Sequence, residues 1–355
     1  MEKCKIAFPR FGNYHIALEF LFTKGLGVEY ITPPPSTKKT LEIGSKYSPD
    51  YVCSPFKFNL GNYIEAIEAG ANTLVQTGGV CRLGFYGELH EQILKDLGYN
   101  VKFINMSRAD YQKPLTFYEE FKKVNPDLSV KKIASSLLTF LKMVECIDEV
   151  EDFVRQNVGF EKKDGEMEKI HEEYLNALKS VETKKDVKKI TKEYMKKLKN
   201  VKLKKPKKLI KIGIVGEYYT IMEPFSNHFI EKELAKKGIV IYRWMNVSNS
   251  VIHNDGKKQK KFIKHYVKYY MGATSMATVY KALEWAKEGF DGIVHVKSFG
   301  CTPEIDAMPV LQKISNDYKI PILYFSFDSQ TSETGIQTRL EAFYDMIIMR
   351  KEKKK

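Results

Sequence analysis

Two doubly wound α/β domains of flavodoxin or Rossmann type, with a helical region between them, are the fold that this sequence of 355 residues predicts. Three observations lead to it. Short apolar strands alternate with amphipathic helices from the N-terminus to about Asn105, strand signals disappear from about Thr116 to Val201, and the alternation resumes at Leu209. The expected domains are therefore residues 1–110, a helical region at 111–207, and residues 208–355.

In the first domain KIAFP predicts a strand and YHIALEFLFTKGL a helix that stops at Gly25 and Gly27. VEYIT and DYVC predict short strands, and GNYIEAIEAG predicts a helix ended by glycine. NTLVQTG has the continuous apolar character of a buried strand, followed by the helix ELHEQILKDLGY and the strand VKFIN. Strand–helix–strand alternation with short loops implies a mostly parallel sheet covered on both faces. The central stretch is helical throughout, beginning with VKKIASSLLTFLKMVECIDEVEDFVRQNV. In the second domain IKIGIVGEYY, IVIYRWM, DGIVHV and IPILYFSFD predict strands. The helices are SNHFIEKELAKKG, a section from about Lys258 to Gly289, Glu304 to Tyr318, and TRLEAFYDMIIMRK.

The formal charge of +14 raises nucleic acid as a partner, but its distribution argues against it. Residues 161–208 hold 17 Lys against 9 acidic residues, which accounts for +8 of the total. Tyr174, Leu178, Ile190, Tyr194 and Leu198 recur at helical spacing there, so the lysines read as a solvated helix face. No apolar run is long enough to cross a bilayer, and the N-terminus moves straight into a strand. The expected address is the cytoplasm, with no membrane and no nucleic acid as partners.

Five cysteines in a chain of this kind do not make a disulfide framework. Three of them share one kind of place: Cys53 after DYV, Cys81 after NTLVQTG and Cys301 after DGIVHV. Loops at the carboxyl ends of strands line the ligand crevice of open α/β sheets. Three soft thiolates suit zinc or an iron–sulfur cluster. A structural zinc site favours CxxC pairs and four closed ligands, neither of which is present, whereas dispersed single cysteines suit a cubane. Cys4, at the start of the first strand, and Cys146, within a helix, read as packed thiols.

The blocks YVCSPFKFNLG, GGVCRLGFYGELHEQIL, IGIVGEYYTIMEPFSNHFIEKEL, FDGIVHVKSFGCTPEI and IPILYFSFDSQTSETGIQTRLEAFYDM carry a resemblance to the 2-hydroxyacyl-CoA dehydratase family, in its activase-related, D-component-like branch. The resemblance implies a [4Fe-4S] cluster on Cys53, Cys81 and Cys301, and a separate ATP-hydrolysing activator that delivers one low-potential electron. In the dehydratases this electron makes a ketyl radical of an acyl-CoA thioester, which expels the hydroxyl group. Other relatives carry out ATP-dependent reduction, or hold a larger double-cubane cluster. With five cysteines, this chain alone cannot supply six thiolates to a double cubane. No GxxxxGK[ST] loop occurs, so the resemblance places the ATPase in another protein.

The expected function is therefore the cluster-bearing component of a dehydratase-like lyase in an anaerobe, working as a homodimer or heterodimer. The alternatives are an ATP-dependent reductase of a small substrate and a non-catalytic regulatory or electron-relay subunit. Around the cluster or substrate the candidates are Arg82, Glu217, Glu304, Asp328 and Gln330. Arg82 adjoins Cys81; Glu217 either orients a ligand or caps the loop after its strand; Glu304 lies where a helix dipole favours a carboxylate. Asp328–Gly335, DSQTSETG, departs from the family's acidic DEQTGEAG pattern. Asn227 is expected to cap the next helix, His295 to be a satisfied core residue, and Arg339 and Glu341 to fix the last helix.

Overall fold

The computed structural model describes residues 3–76, 81–106 and 114–353, with backbone alone at 82, 83, 114–117 and 120. The chain divides into two compact units, Met1–Ile147 with Glu173–Glu193, and Asp148–Glu172 with Tyr194–Lys355. Both are flavodoxin- or Rossmann-like, each built on a parallel four-stranded sheet.

The first unit runs β1 (Lys5–Ala7), α1 (His15–Phe20), β2 (Glu29–Tyr30), α2 (Lys38–Tyr47), α3 (Ser54–Glu68), β3 (Thr73–Gln76), α4 (Tyr86–Asp96) and β4 (Lys102–Asn105). Its strand order is β2-β1-β3-β4. Successive strand residues point to opposite faces, and here both faces are buried. Ile6 and Val75 pack with Phe22, Leu26 and Ile104, while Ala7 and Leu74 pack with Phe56, Leu60, Tyr63 and Leu94. α5 (Pro114–Val124) and α6 (Val130–Asn157) follow, and Phe121 and Ile133 extend the first of these clusters. In α7 (Glu166–Leu178) and α8 (Lys184–Lys199), Tyr174, Leu178, Val187 and Leu198 are buried and the lysines of α8 are exposed. This is the solvated basic face expected from the spacing.

The second unit has β5 (Ile210–Gly216), α9 (Tyr218–Met222), α10 (Ile230–Lys236), β6 (Ile239–Arg243), α11 (Gly256–Ile263), α12 (Ser275–Lys287), β7 (Gly292–Ser298), α13 (Thr302–Tyr318), β8 (Ile322–Phe327) and α14 (Glu333–Lys353). Its order, β6-β5-β7-β8, repeats the topology of the first sheet. In both, the chain leaves the first strand to one side and returns to pair on the other. That creates a topological switch point beside β3 in one unit and β7 in the other, where open α/β sheets bind ligands.

Two local expectations need correction. DYV is not a strand: it lies in a turn in which Val52 N donates to Pro49 O at 3.4 Å, and Cys53 is extended immediately before α3 begins. Pro55 within the first turn suits a helix start, because the missing N–H has no intrahelical acceptor there. SNHFIEKELAKKG is not one helix either. His228 and Phe229 have φ of 53° and 56°, and they separate a short 3₁₀ turn (Pro224–Asn227) from α10. Asn227 supplies the local capping expected of it, its Oδ1 accepting from Ile230 N at 3.2 Å.

α2 and α3 meet backbone to backbone, which only glycine allows. A Cβ on Gly44 would lie 1.7 Å from Lys57 O, and one on Gly61 would lie 2.0 Å from Thr40 O. Neither contact can be relieved by turning a side chain. Gly61→Ala is therefore expected to cost about 1–3 kcal/mol or more, read as a lower urea midpoint. A midpoint equal to that of the parent would show that the two helices do not touch in this way.

Among the described residues, no helix is long and apolar enough to cross a membrane.

Candidate functional site

In the first unit Cys53 is the N-cap residue of α3, half-buried, with its carbonyl accepting from Phe56 N at 3.1 Å. Its Sγ lies 3.0 Å from Tyr86 Oη at the start of α4. The Tyr86 ring meets Phe56 edge-on, with centroids 4.8 Å apart at 88°. His90, one turn along α4, stacks on the same Phe56 at 4.0 Å, and its Nε2 lies 3.1 Å from Phe56 O. Cys81, also half-buried, precedes a 3₁₀ turn (Arg82–Phe85), and its carbonyl accepts from Gly84 N at 3.0 Å. The loop before it, 77–80, and the side chain of Arg82 lie outside the described residues.

In the second unit Cys301 is the N-cap residue of α13, three residues beyond the carboxyl end of β7. Its N–H donates to Ser298 O at 3.1 Å, and its carbonyl accepts from Ile305 N at 3.0 Å. Helix N-termini favour negative charge, so both N-cap cysteines occupy places where a thiolate is stabilised. One turn into α13, Glu304 is fully buried. Its Oε2 lies 2.8 Å from His295 Nε2, and its Oε1 accepts from Thr274 Oγ1 at 2.5 Å and Thr278 Oγ1 at 3.1 Å. His295 is thus paired through one nitrogen, as expected of a core residue, while its buried Nδ1 has no hydrogen-bond partner among the described residues.

Glu217 caps α9 with its own side chain, accepting from Tyr219 N at 2.7 Å and Thr220 N at 2.9 Å. Burial pushes its pKa above the ordinary carboxylate value, opposed by these hydrogen bonds and assisted by the charge of Glu304. Asp328 and Gln330 hold one another in the turn before α14, Asp328 Oδ1 accepting from Gln330 N at 2.9 Å. Arg339 donates to Tyr324 O at 2.6 Å and stacks over Phe325, and Glu341 lies 3.7 Å from Lys237. These contacts anchor α14. Outside the three cysteine positions, Cys146 is buried in α6, and Cys4 donates weakly to Thr73 Oγ1 at 3.4 Å.

Two residues near the cysteines escape a reading of the sequence. Lys297, at the end of β7, is only 4% exposed, with Nζ donating to Phe299 O at 3.2 Å. Burial lowers its pKa, against the opposing pull of Cys301 and Glu304. Its signal was the spacing His295–Lys297, two polar side chains on one face of a strand otherwise apolar. Tyr86 has no local signal, because its partner lies 33 residues away.

Among the described residues, no three His, Cys, Asp or Glu side chains gather as ligands of a single metal ion. A four-iron cluster takes soft sulfur donors. The donors at positions 53, 81 and 301 are chemically suited to it: soft sulfur, half-buried, with two of the three at helix N-termini.

Residues 166–347, just over half of the chain, match the family model described as 2-hydroxyglutaryl-CoA dehydratase, D-component. The matched segment includes Glu217, Cys301, Glu304, Asp328 and Gln330. No curated protein matches the chain significantly.

Proposed function

The chain belongs to the 2-hydroxyglutaryl-CoA dehydratase D-component family, and from that premise we propose that it is the iron–sulfur component of a 2-hydroxyacyl-CoA dehydratase-like system. Cys53, Cys81 and Cys301 hold a [4Fe-4S] cluster, and a separate ATP-hydrolysing activator supplies one low-potential electron. The observation that carries the reading is Cys301: a half-buried cysteine at the N-cap position of the helix that follows the switch-point strand, inside the segment matched to the family.

When bound, the cluster supplies one-electron storage and Lewis acidity. The chain's own residues prepare its surroundings. The N-termini of α3 and α13 stabilise sulfur in its thiolate form. Lys297 donates to the carbonyl of Phe299, two residues before Cys301, and so ties down the loop that leads to that sulfur. Glu304 holds His295, Thr274 and Thr278 together beneath the first turn of α13, which limits movement of the Cys301 loop.

The test is an anaerobic assay of iron–sulfur-loaded protein with an activator from a 2-hydroxyacyl-CoA dehydratase, ATP and 2-hydroxyglutaryl-CoA. The expected product is the enoyl-CoA formed by loss of water, dependent on both ATP and activator. Reduction of the acyl group without loss of water would replace the lyase by a reductase. Iron and sulfide without turnover, using an activator that drives its own dehydratase, would support a regulatory or electron-relay subunit. The DSQTSETG loop favours that last outcome, because Asp328 is engaged in its own turn.

A further inference from the structure

Tyr86 Oη lies 3.0 Å from Cys53 Sγ, within hydrogen-bond reach of the sulfur. A thiolate carries no proton, so in the ligating state the phenol is the donor. The position of the ring is strongly constrained. Tyr86 is buried, packs edge-on against Phe56 of α3, and opens the helix that follows Cys81. Its neighbour Gly87 is held so tightly that an added Cβ would lie 2.4 Å from the Asn105 side chain. The start of α4 thus lies close against the end of β4, with the Tyr86 hydroxyl directed at the sulfur.

Resting on the cluster reading above, we infer that Tyr86 is a positioning residue whose O–H···S hydrogen bond to Cys53 raises the reduction potential of the bound cluster. Adding an electron increases negative charge on the cluster and its sulfurs. A fixed donor at one sulfur stabilises that reduced form more than the oxidised form. No proton is transferred: the phenol keeps its hydrogen, and the only change is one electron gained by the cluster from the activator. The chain thus eases its own reduction at a residue that touches neither the activator nor the substrate in this role.

Tyr86→Phe removes the hydroxyl and leaves the ring packing. In anaerobically reconstituted protein, the variant should bind iron and sulfide like the parent but show a more negative midpoint potential. A roughly tenfold lower ratio of reduced to oxidised protein at a fixed potential is expected, equivalent to ~59 mV for one electron. In the parent protein, exchange into D₂O should shift an iron–cysteinyl sulfur stretch in resonance Raman spectra, and Tyr86→Phe should abolish that shift. Equal potentials with cluster retained would overturn the role of Tyr86 while leaving the cluster reading intact. Failure of the parent to bind iron and sulfide would overturn both. Should the variant not fold, the D₂O experiment on the parent still decides, and the absence of a shift would reject the hydrogen bond.

Discussion

Glu304→Ala is expected to lower the unfolding free energy by about 2–5 kcal/mol, because it removes the shared acceptor of a buried hydrogen-bond network. The carboxylate is wholly buried and accepts from Thr274, Thr278 and His295. Alanine would leave two hydroxyls and a ring nitrogen without their acceptor, away from water, and leave a cavity as well. Glu304→Gln should cost less. Its amide oxygen still serves the threonines, and His295 can change tautomer to accept from the amide nitrogen. Urea unfolding of the two variants reads the difference, with the order parent, Gln, Ala in falling midpoint. An alanine midpoint equal to that of the parent would show that this network does not support the Cys301 helix. Sequence alone places Glu304 in the first turn of a helix, where a carboxylate is usual; its burial and its pairing with His295 follow from packing between α12, β7 and α13.

The second large effect is a loss of stability in acid caused by His90. The ring is fully buried on Phe56, and burial pushes its pKa from 6.5 down to about 3, despite the Phe56 carbonyl that pulls the other way. In the unfolded chain the same histidine takes up a proton near pH 6.5. Between those values the unfolded state holds the extra proton, so stability rises with pH across this window and falls as pH is lowered. The contribution is complete above about pH 6.5 and its loss approaches about 4–5 kcal/mol by pH 3. His15, lowered to about 4 chiefly by burial, adds in the same direction. His90→Gln keeps a donor for the carbonyl but cannot titrate. Its stability should therefore fall less steeply between pH 6.5 and 4 than that of the parent. Parallel curves would remove His90 as the source.

Much of the architecture was legible because strand periodicity acts locally. Ile6 with Ala7 and Leu74 with Val75 feed opposite faces of one sheet, as a doubly wound fold requires. Cys301 was equally legible, since an apolar strand ending in KSFGCTPE announces both the loop and the proline-started helix. What could not be read depends on long-range packing or on backbone twists without a residue signature. Cys53 reads as a strand end because DYV is β-prone, yet the turn at Pro49 leaves no ladder for it to join. His228 and Phe229 adopt left-handed conformations inside what the apolar spacing presents as one helix. The Tyr86–Cys53 contact requires α3 and α4 to be docked, and no spacing along the chain encodes that.

The most direct measurement is the iron and acid-labile sulfide content of the anaerobically purified chain and its five single Cys→Ala variants. The parent should carry about four of each per chain, as a four-iron cube requires. Substitution at Cys53, Cys81 or Cys301 should remove most of it, whereas substitution at Cys4 or Cys146 should leave it unchanged. A parent devoid of both elements after reconstitution, or full content retained without Cys301, would contradict the account.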